Sequence, residues 1–484
     1  MSPVPIAIRN AYDPERFRAN GHRLIDALAD QLGAWHSRDG VVLPWIDPEQ
    51  AREAWAAKGV QQDSGELVDD LMSITRASTA LGNPRCMGHQ VPPPLPGAAL
   101  AEMVSALLNN GMAVAEMGPA SVPIELAVIE WMAGRLGLNH TAGGVLTSGG
   151  SVGNLTALLV MRQRMAGYDA WSAGAHAGPP LAVIVSSDAH YSIARTLHIM
   201  GWGDGGAIPA KIGETHQLTA KAVEDALATA GKRRVIGIVA AAGSTAVGAF
   251  DPLHDLADVA DKHGLWLHVD AAHGGGAALS KTERTKLDGI ARADSVVWDA
   301  HKLLMMPALV TAVLFKNGDH SYEAFAQRAS YLFADGDPSS DPRSDAKRMW
   351  WDLGTRTLEC TKRAMAIEVW TALRVHGEEV FRLIVDRQVY LARSLAEKVT
   401  AAPDFELALA PQSNIVCYRY TGTAGDLDAF NRALRQKVVE DGRFYIVGTQ
   451  LPRGYFLRST LMNPLTEPSD LDALLVHLRA LAST

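Results

Sequence analysis

Short, nearly unbroken apolar runs recur through the middle of the chain, at 181–186, 235–242, 265–269, 295–298 and 309–315. Between them lie stretches with apolar residues at helical spacing, such as 218–230 and 252–263. A strand with one wet face alternates apolar and polar residues, whereas a strand covered on both faces is apolar throughout. The pattern therefore predicts an α/β fold with a mostly parallel sheet and helices on both faces. Upstream, Asp13-Pro14 reads as an N-cap with proline at the first helical position, and Leu24, Ile25, Leu28 and Leu32 follow at helical spacing. That apolar stripe precedes any strand, so it needs cover from another domain or another subunit. Pro92-Pro93-Pro94 and Pro96 form a stiff break, followed by helical patterns at 98–110 and 124–136. Residues 331–352 lack periodicity, 356–376 read as a helix, and a smaller α+β unit runs from about 381 to the end. Three parts are expected: a helical N-terminal arm over 1–92, a large α/β domain over 93–372 and a small C-terminal α+β domain over 373–484.

With 484 residues, 48% hydrophobic and 20% charged, the chain can bury a sizeable core, and a net charge of −8 offers no basic surface for nucleic acid. A small molecule is the expected partner. The three cysteines, Cys86, Cys360 and Cys417, are odd in number and far apart, which suits a reducing cytoplasm rather than a disulfide framework or a zinc ribbon. Residues 1–10 lack the basic and apolar regions of a signal peptide. No apolar stretch reaches the roughly 18 residues that span a bilayer. A cytoplasmic protein without membrane attachment is expected.

Three features carry chemistry. Asp299-Ala300-His301-Lys302 sits between the apolar runs Ser295 to Trp298 and Leu303 to Pro307. An ammonium in such surroundings either snorkels to water or loses its proton and becomes a nucleophile able to form a Schiff base. Second, Ser148-Gly149-Gly150-Ser151-Val152-Gly153-Asn154 precedes a helix and has the small side chains and hydroxyls of a phosphate loop, although tight-turn glycines at a helix start look the same. Third, the strand Leu265 to Val269 delivers Asp270 at its carboxyl end, where open α/β sheets bind ligands. His268, Asp270 and His273 could form a metal site, but no further ligand is evident and none is expected. Gly149 to Gly153 also satisfies Gly-x-Ser-x-Gly, with Ser151 as a hydrolase nucleophile. The His273-Gly274-Gly275-Gly276 tetrad follows that serine instead of preceding it, which argues against a hydrolase. A phosphate loop, a strand-end aspartate and a lysine after the next strand are together what pyridoxal phosphate requires.

At this point the chain resembles the group II pyridoxal-phosphate-dependent amino acid decarboxylases, which act on aromatic amino acids, glutamate and cysteine sulfinate. The likeness runs through Thr147 to Ser151, Asp188-Ala189-His190-Tyr191-Ser192, Gly243-Ser244-Thr245, Gly248 to Pro252, His268 to Ala272, and Asp294-Ser295 with His301-Lys302. It implies a fold-type-I transferase fold, pyridoxal 5′-phosphate as cofactor, an L-amino acid as substrate, and a homodimer with its active site at the subunit interface. By resemblance, Lys302 holds the cofactor aldehyde, Asp270 faces the pyridine nitrogen and His190 stacks on the ring. Gly150, Ser151 and His301 would contact the phosphate, and Thr245 and Ala272 the ring. Tyr331, in Tyr331-Leu332-Phe333, would protonate the substrate α-carbon. Phe456-Leu457-Arg458-Ser459-Thr460 matches the stretch whose arginine binds the substrate carboxylate, and His89 falls in a substrate-pocket segment.

There are departures. Asp299 stands where many relatives carry asparagine. His89 and Val91 stand where glutamate decarboxylases place Gln and Ser, which disfavours glutamate, and the aromatics of tyrosine-type enzymes are missing there. An aldehyde synthase or an aminotransferase of the same fold is the competing expectation. Tyr331 favours simple decarboxylation, because aldehyde synthases often carry phenylalanine there.

Overall fold

Each of the five apolar runs forms a strand, in a computed structural model that describes residues 4–38, 40–60, 66–327, 329 and 341–483. They are β2 (Leu181–Ser186), β4 (Arg234–Ala241), β5 (Trp266–Asp270), β6 (Ser295–Asp299) and β7 (Thr311–Phe315), joined by β1 (Gly143–Thr147) and β3 (Ala207–Ala210). The sheet order is β1-β7-β6-β5-β4-β2-β3. Strand β7 runs antiparallel to both its neighbours, and the remaining pairings β6-β5, β5-β4, β4-β2 and β2-β3 are parallel. Every residue of β2, β6 and β7 is buried. Successive side chains of a strand point to opposite faces, so both faces of the sheet are covered.

This sheet belongs to a compact unit made of residues 90–393 and 409–415. Its core joins Val183, Val185, Val239, Trp266, Val297 and Phe315 of the strands to Leu158 and Met161 of the helix Gly150–Met165. That helix lies close on the sheet: a Cβ on Gly153 would stand 3.1 Å from Thr311 Cγ2 and 3.3 Å from both Val297 methyls. Beside β1, the backbone N–H of Leu146 donates to Glu125 Oε1 at 2.9 Å, and Lys362 Nζ donates to the Leu146 carbonyl at 2.5 Å. Glu125 and Lys362 also pair with each other, both buried.

A second unit gathers residues 1–89, 394–408 and 416–484. It holds a four-stranded sheet in the order β10-β11-β9-β8, from β8 (Phe405–Leu407), β9 (Ile415–Tyr420), β10 (Val447–Leu451) and β11 (Gly454–Thr460). The expected N-terminal helix is Pro14–His36, with the Asp13 side chain accepting from Glu15 N–H and no buried residue along it. Helix is absent over the first ten residues of the expected 356–376. A short 3₁₀ turn, Leu353–Thr355, is followed by bends, and regular helix starts at Ala366. The polar side chains there turn inward: Arg356 donates to Ser321 Oγ at 3.1 Å and to the Gly318 carbonyl at 3.2 Å, and Lys362 is committed to Glu125 and Leu146. Buried hydrogen bonds of this kind outweigh helix propensity, which is at most about 0.7 kcal/mol per ordinary residue.

Candidate active site

All the parallel strands but β3 present their carboxyl ends to one cavity of about 180 Å³. From the end of β1 come Gly150 and Ser151, and from the end of β2 Asp188 and His190. Strand β4 contributes Ser244 and Thr245, β5 Asp270 and Ala272, and β6 Asp299, His301 and Lys302. Eight of the residues singled out in the sequence, Gly150, Ser151, His190, Thr245, Asp270, Ala272, His301 and Lys302, thus line one space.

The loop after β1 turns at Gly149, whose φ of 107° suits glycine alone, and enters the helix Gly150–Met165 with no side-chain cap on its first turn. Its free N–H groups and dipole favour an anion. A Cβ on Gly150 would lie 3.3 Å from both Asp299 carboxylate oxygens and 3.6 Å from the Ala272 methyl, so glycine leaves the room a phosphate needs.

The Asp270 carboxylate accepts from the Asn154 amide at 2.9 Å and from Ala272 N–H at 3.2 Å. His190 caps the helix Tyr191–Ile199 through Nδ1, which accepts from Ser192 N–H. Burial pushes its pKa below the usual histidine value, against the pull of Asp270. Lys302 Nζ lies 2.9 Å from Asp299 Oδ2, and Asp299 also accepts from the Thr311 hydroxyl at 2.6 Å. His301 sets Nδ1 against Val310, 2.9 Å from its carbonyl oxygen, which turns Nε2 toward Asp299 at 3.6 Å.

No group of side chains able to hold a metal occurs among the described residues. The rings of His268 and His273 are taken by Ser295 with Asn154 and by Asn414. His89 and Arg458 both lie in the second unit, where loss of solvent and then Arg458 and Arg435 lower the pKa of His89. Tyr331 lies outside the described residues. Sequence reasoning did not single out Asn154 and Ser192, which reach Asp270 and His190 directly. Their one signal is position, a polar residue after each of two candidate loops.

These residues fit pyridoxal phosphate: an uncapped helix start for the phosphate, a strand-end carboxylate for the ring nitrogen and an amine for the aldehyde. The family model described as the pyridoxal-dependent decarboxylase conserved domain matches residues 86–421. The chain belongs to this family. It is a pyridoxal-phosphate-dependent carboxy-lyase acting on an amino acid, and its sheet and helices have the fold-type-I arrangement. Cysteine sulfinic acid decarboxylase from Rattus norvegicus is 30% identical over 461 residues, 91% of each chain. L-2,4-diaminobutyrate decarboxylase from Acinetobacter baumannii is 27% identical over 439 residues, 87% of this chain and 84% of its own. The crystal structure of mouse CSAD matches with a TM-score of 0.89 at 27% identity, over 97% of this decarboxylase and 99% of that chain. Among the described residues, no helix is long and apolar enough to cross a membrane.

Proposed function

We propose that the cavity is where decarboxylation takes place, that the substrate is an L-amino acid with a small acidic side chain, and that two copies of the chain form the working enzyme. The convergence of Lys302, Asp270 and His190 on one cavity carries the first point. Bound there, pyridoxal phosphate supplies an aldehyde for the substrate amine and a ring that withdraws electrons from the bond to the carboxylate. Lys302 binds the aldehyde through Nζ, and Gly150, Ser151 and His301 bind the phosphate. Asp270 holds a proton at the ring nitrogen, where each 1.36 kcal/mol of added stabilisation is tenfold in rate. His190, Thr245 and Ala272 limit the tilt of the ring. Tyr331 gives a proton to the substrate α-carbon once carbon dioxide has left, and Arg458 binds the substrate carboxylate.

The name of the rat relative supports the substrate class. Glutamate stays disfavoured because of His89 and Val91. Support for a dimer comes from the helix Pro96–Leu108, whose Leu100, Met103, Val104 and Leu107 are 49%, 47%, 48% and 71% exposed at helical spacing. A reducing cytoplasm suits Cys86, Cys360 and Cys417, none of which forms a disulfide among the described residues.

The test is a panel of L-amino acids given to the cofactor-loaded enzyme, reading carbon dioxide and amine. Cysteine sulfinate or aspartate should exceed 2,4-diaminobutyrate and the aromatic amino acids by about tenfold or more in kcat/KM, the effect of about 1.4 kcal/mol. The opposite order overturns the substrate class. Asp270→Ala acting at close to the parental rate overturns the role given to that carboxylate.

A further inference from the structure

Beneath the cavity runs a chain of hydrogen bonds with only one consistent direction. Trp266 Nε1 can only donate, and it lies 2.8 Å from Ser295 Oγ. An ionised Asp270 can only accept, so the side of Asn154 that faces it at 2.9 Å is the amide nitrogen. Asn154 Oδ1 then faces His268 Nε2 at 3.0 Å, and that nitrogen must carry the proton. His268 Nδ1, 2.9 Å from Ser295 Oγ, must therefore accept. Ser295 takes the proton of Trp266 and gives its own to His268, so the two ends of the chain agree. The Asn154 nitrogen also lies 3.0 Å from Ser192 Oγ, which leaves the Ser192 hydroxyl to donate to His190 Nδ1 at 2.8 Å. Ser192 N–H points at the same nitrogen from 3.3 Å, so His190 carries its proton on Nε2.

Water does not compete with this chain: Asn154 and Ser192 are 1% exposed, Trp266 2%, and His268 and Ser295 0%. Burial lowers the pKa of His268 to about 4, against Asp270. Burial likewise lowers that of His190, around which Asp270 and Asp299 pull upward and Lys302 and Arg195 downward.

We propose that Asn154 is a positioning residue that couples Asp270 to His190, holding the first as an anion and the second as a neutral imidazole protonated on Nε2, with its own orientation locked by His268, Ser295 and Trp266. The proposal rests on the roles given above to Asp270 and His190. An amide serves here because it offers an acceptor on one side and donors on the other without carrying charge. Asn154→Asp would keep the acceptor toward His268 and turn the donor side into a second anion. Ser192 would then swing its hydroxyl to that anion, and His190 would take up a proton more readily.

The experiment titrates His190 by nitrogen NMR in histidine-labelled protein free of cofactor, with His190→Gln for assignment. Asn154→Asp is expected to raise the His190 midpoint by about one pH unit or more, against 1.36 kcal/mol per unit. In the loaded enzyme it should lower kcat about tenfold or more, while KM changes by less than about twofold. His268→Phe, which frees Asn154 to turn, should move the midpoint the same way by less. His268→Gln, whose amide again offers a donor to Asn154 Oδ1, should restore it. A midpoint unmoved in folded Asn154→Asp overturns the proposal; should that variant not fold, an unmoved midpoint in His268→Phe does so. Full activity in Asp270→Ala would instead overturn the reading of the site, and the cofactor-free titration would stand apart from that result.

Discussion

Asp299 closes β6 with a carboxylate that is 2% exposed, with one donor placed by the sheet and the other by the turn that follows. Thr311 opens β7 opposite Asp299 in register and donates at 2.6 Å, and Lys302 follows three residues on at 2.9 Å. The same carboxylate borders the Gly150 turn, so a phosphate held there meets a like charge. At an effective dielectric near 20, that repulsion is about 4 kcal/mol at about 4 Å before neighbouring cations offset it. Asp299→Asn is therefore expected to bind pyridoxal phosphate about tenfold or more tightly, measured by quenching of protein fluorescence. Unchanged affinity would mean that Lys302 and Thr311 already neutralise the charge. His190 is marked only by the family motif, whereas Lys302 and Asp270 are legible in the sequence because each is a polar group that interrupts or ends an apolar run. Asn154 is not, because its meaning depends on His268, 114 residues away along the chain. Tyr331 is marked by its motif alone.

Strands buried on both faces along most of their length carry a strong apolar signal, and β2, β4, β5, β6 and β7 are legible for that reason. Strand β3, with Pro209 among its four residues, and the glycine-led β1 lack it. Downstream, apolar spacing over 356–376 suggests one helix, but inward-facing Arg356 and Lys362 delay its start to Ala366. Near that start Glu368, 3% exposed, has its pKa raised to about 8 by burial and then by Glu102, with Arg363 opposing. An acid raised in the folded state stays neutral there while its unfolded counterpart ionises, so stability falls as pH climbs from about 4.5 to about 8 and is level beyond. Glu368→Gln removes that loss. Its stability should match the parent near pH 4.5 and exceed it increasingly up to pH 8, by an amount on the order of a few kcal/mol. A difference that does not vary with pH in thermal scans would refute this.

At the scale of the whole molecule, the unit built from residues 1–89, 394–408 and 416–484 draws on both ends of the chain, so sequence order alone gives little warning of it. The exposed stripe of the helix Pro96–Leu108 is a different matter, since its spacing is visible in the sequence and its exposure in the structure. Leu107→Glu should convert a dimer to a monomer in analytical ultracentrifugation; an unchanged mass would remove the stripe from the interface. Within the large sheet, Lys362→Met leaves Glu125 as an unpaired buried charge and should cost about 3–5 kcal/mol in urea unfolding. An effect below about 1 kcal/mol would show that the pair is dispensable. Strand β1 ends the sheet order, with β7 on one side and, among the described residues, no strand on the other. An open strand edge invites recruitment by another polypeptide. By meeting the outward N–H and C=O of Leu146 with a carboxylate and an ammonium, Glu125 and Lys362 stand in for the missing neighbour and close that edge to aggregation.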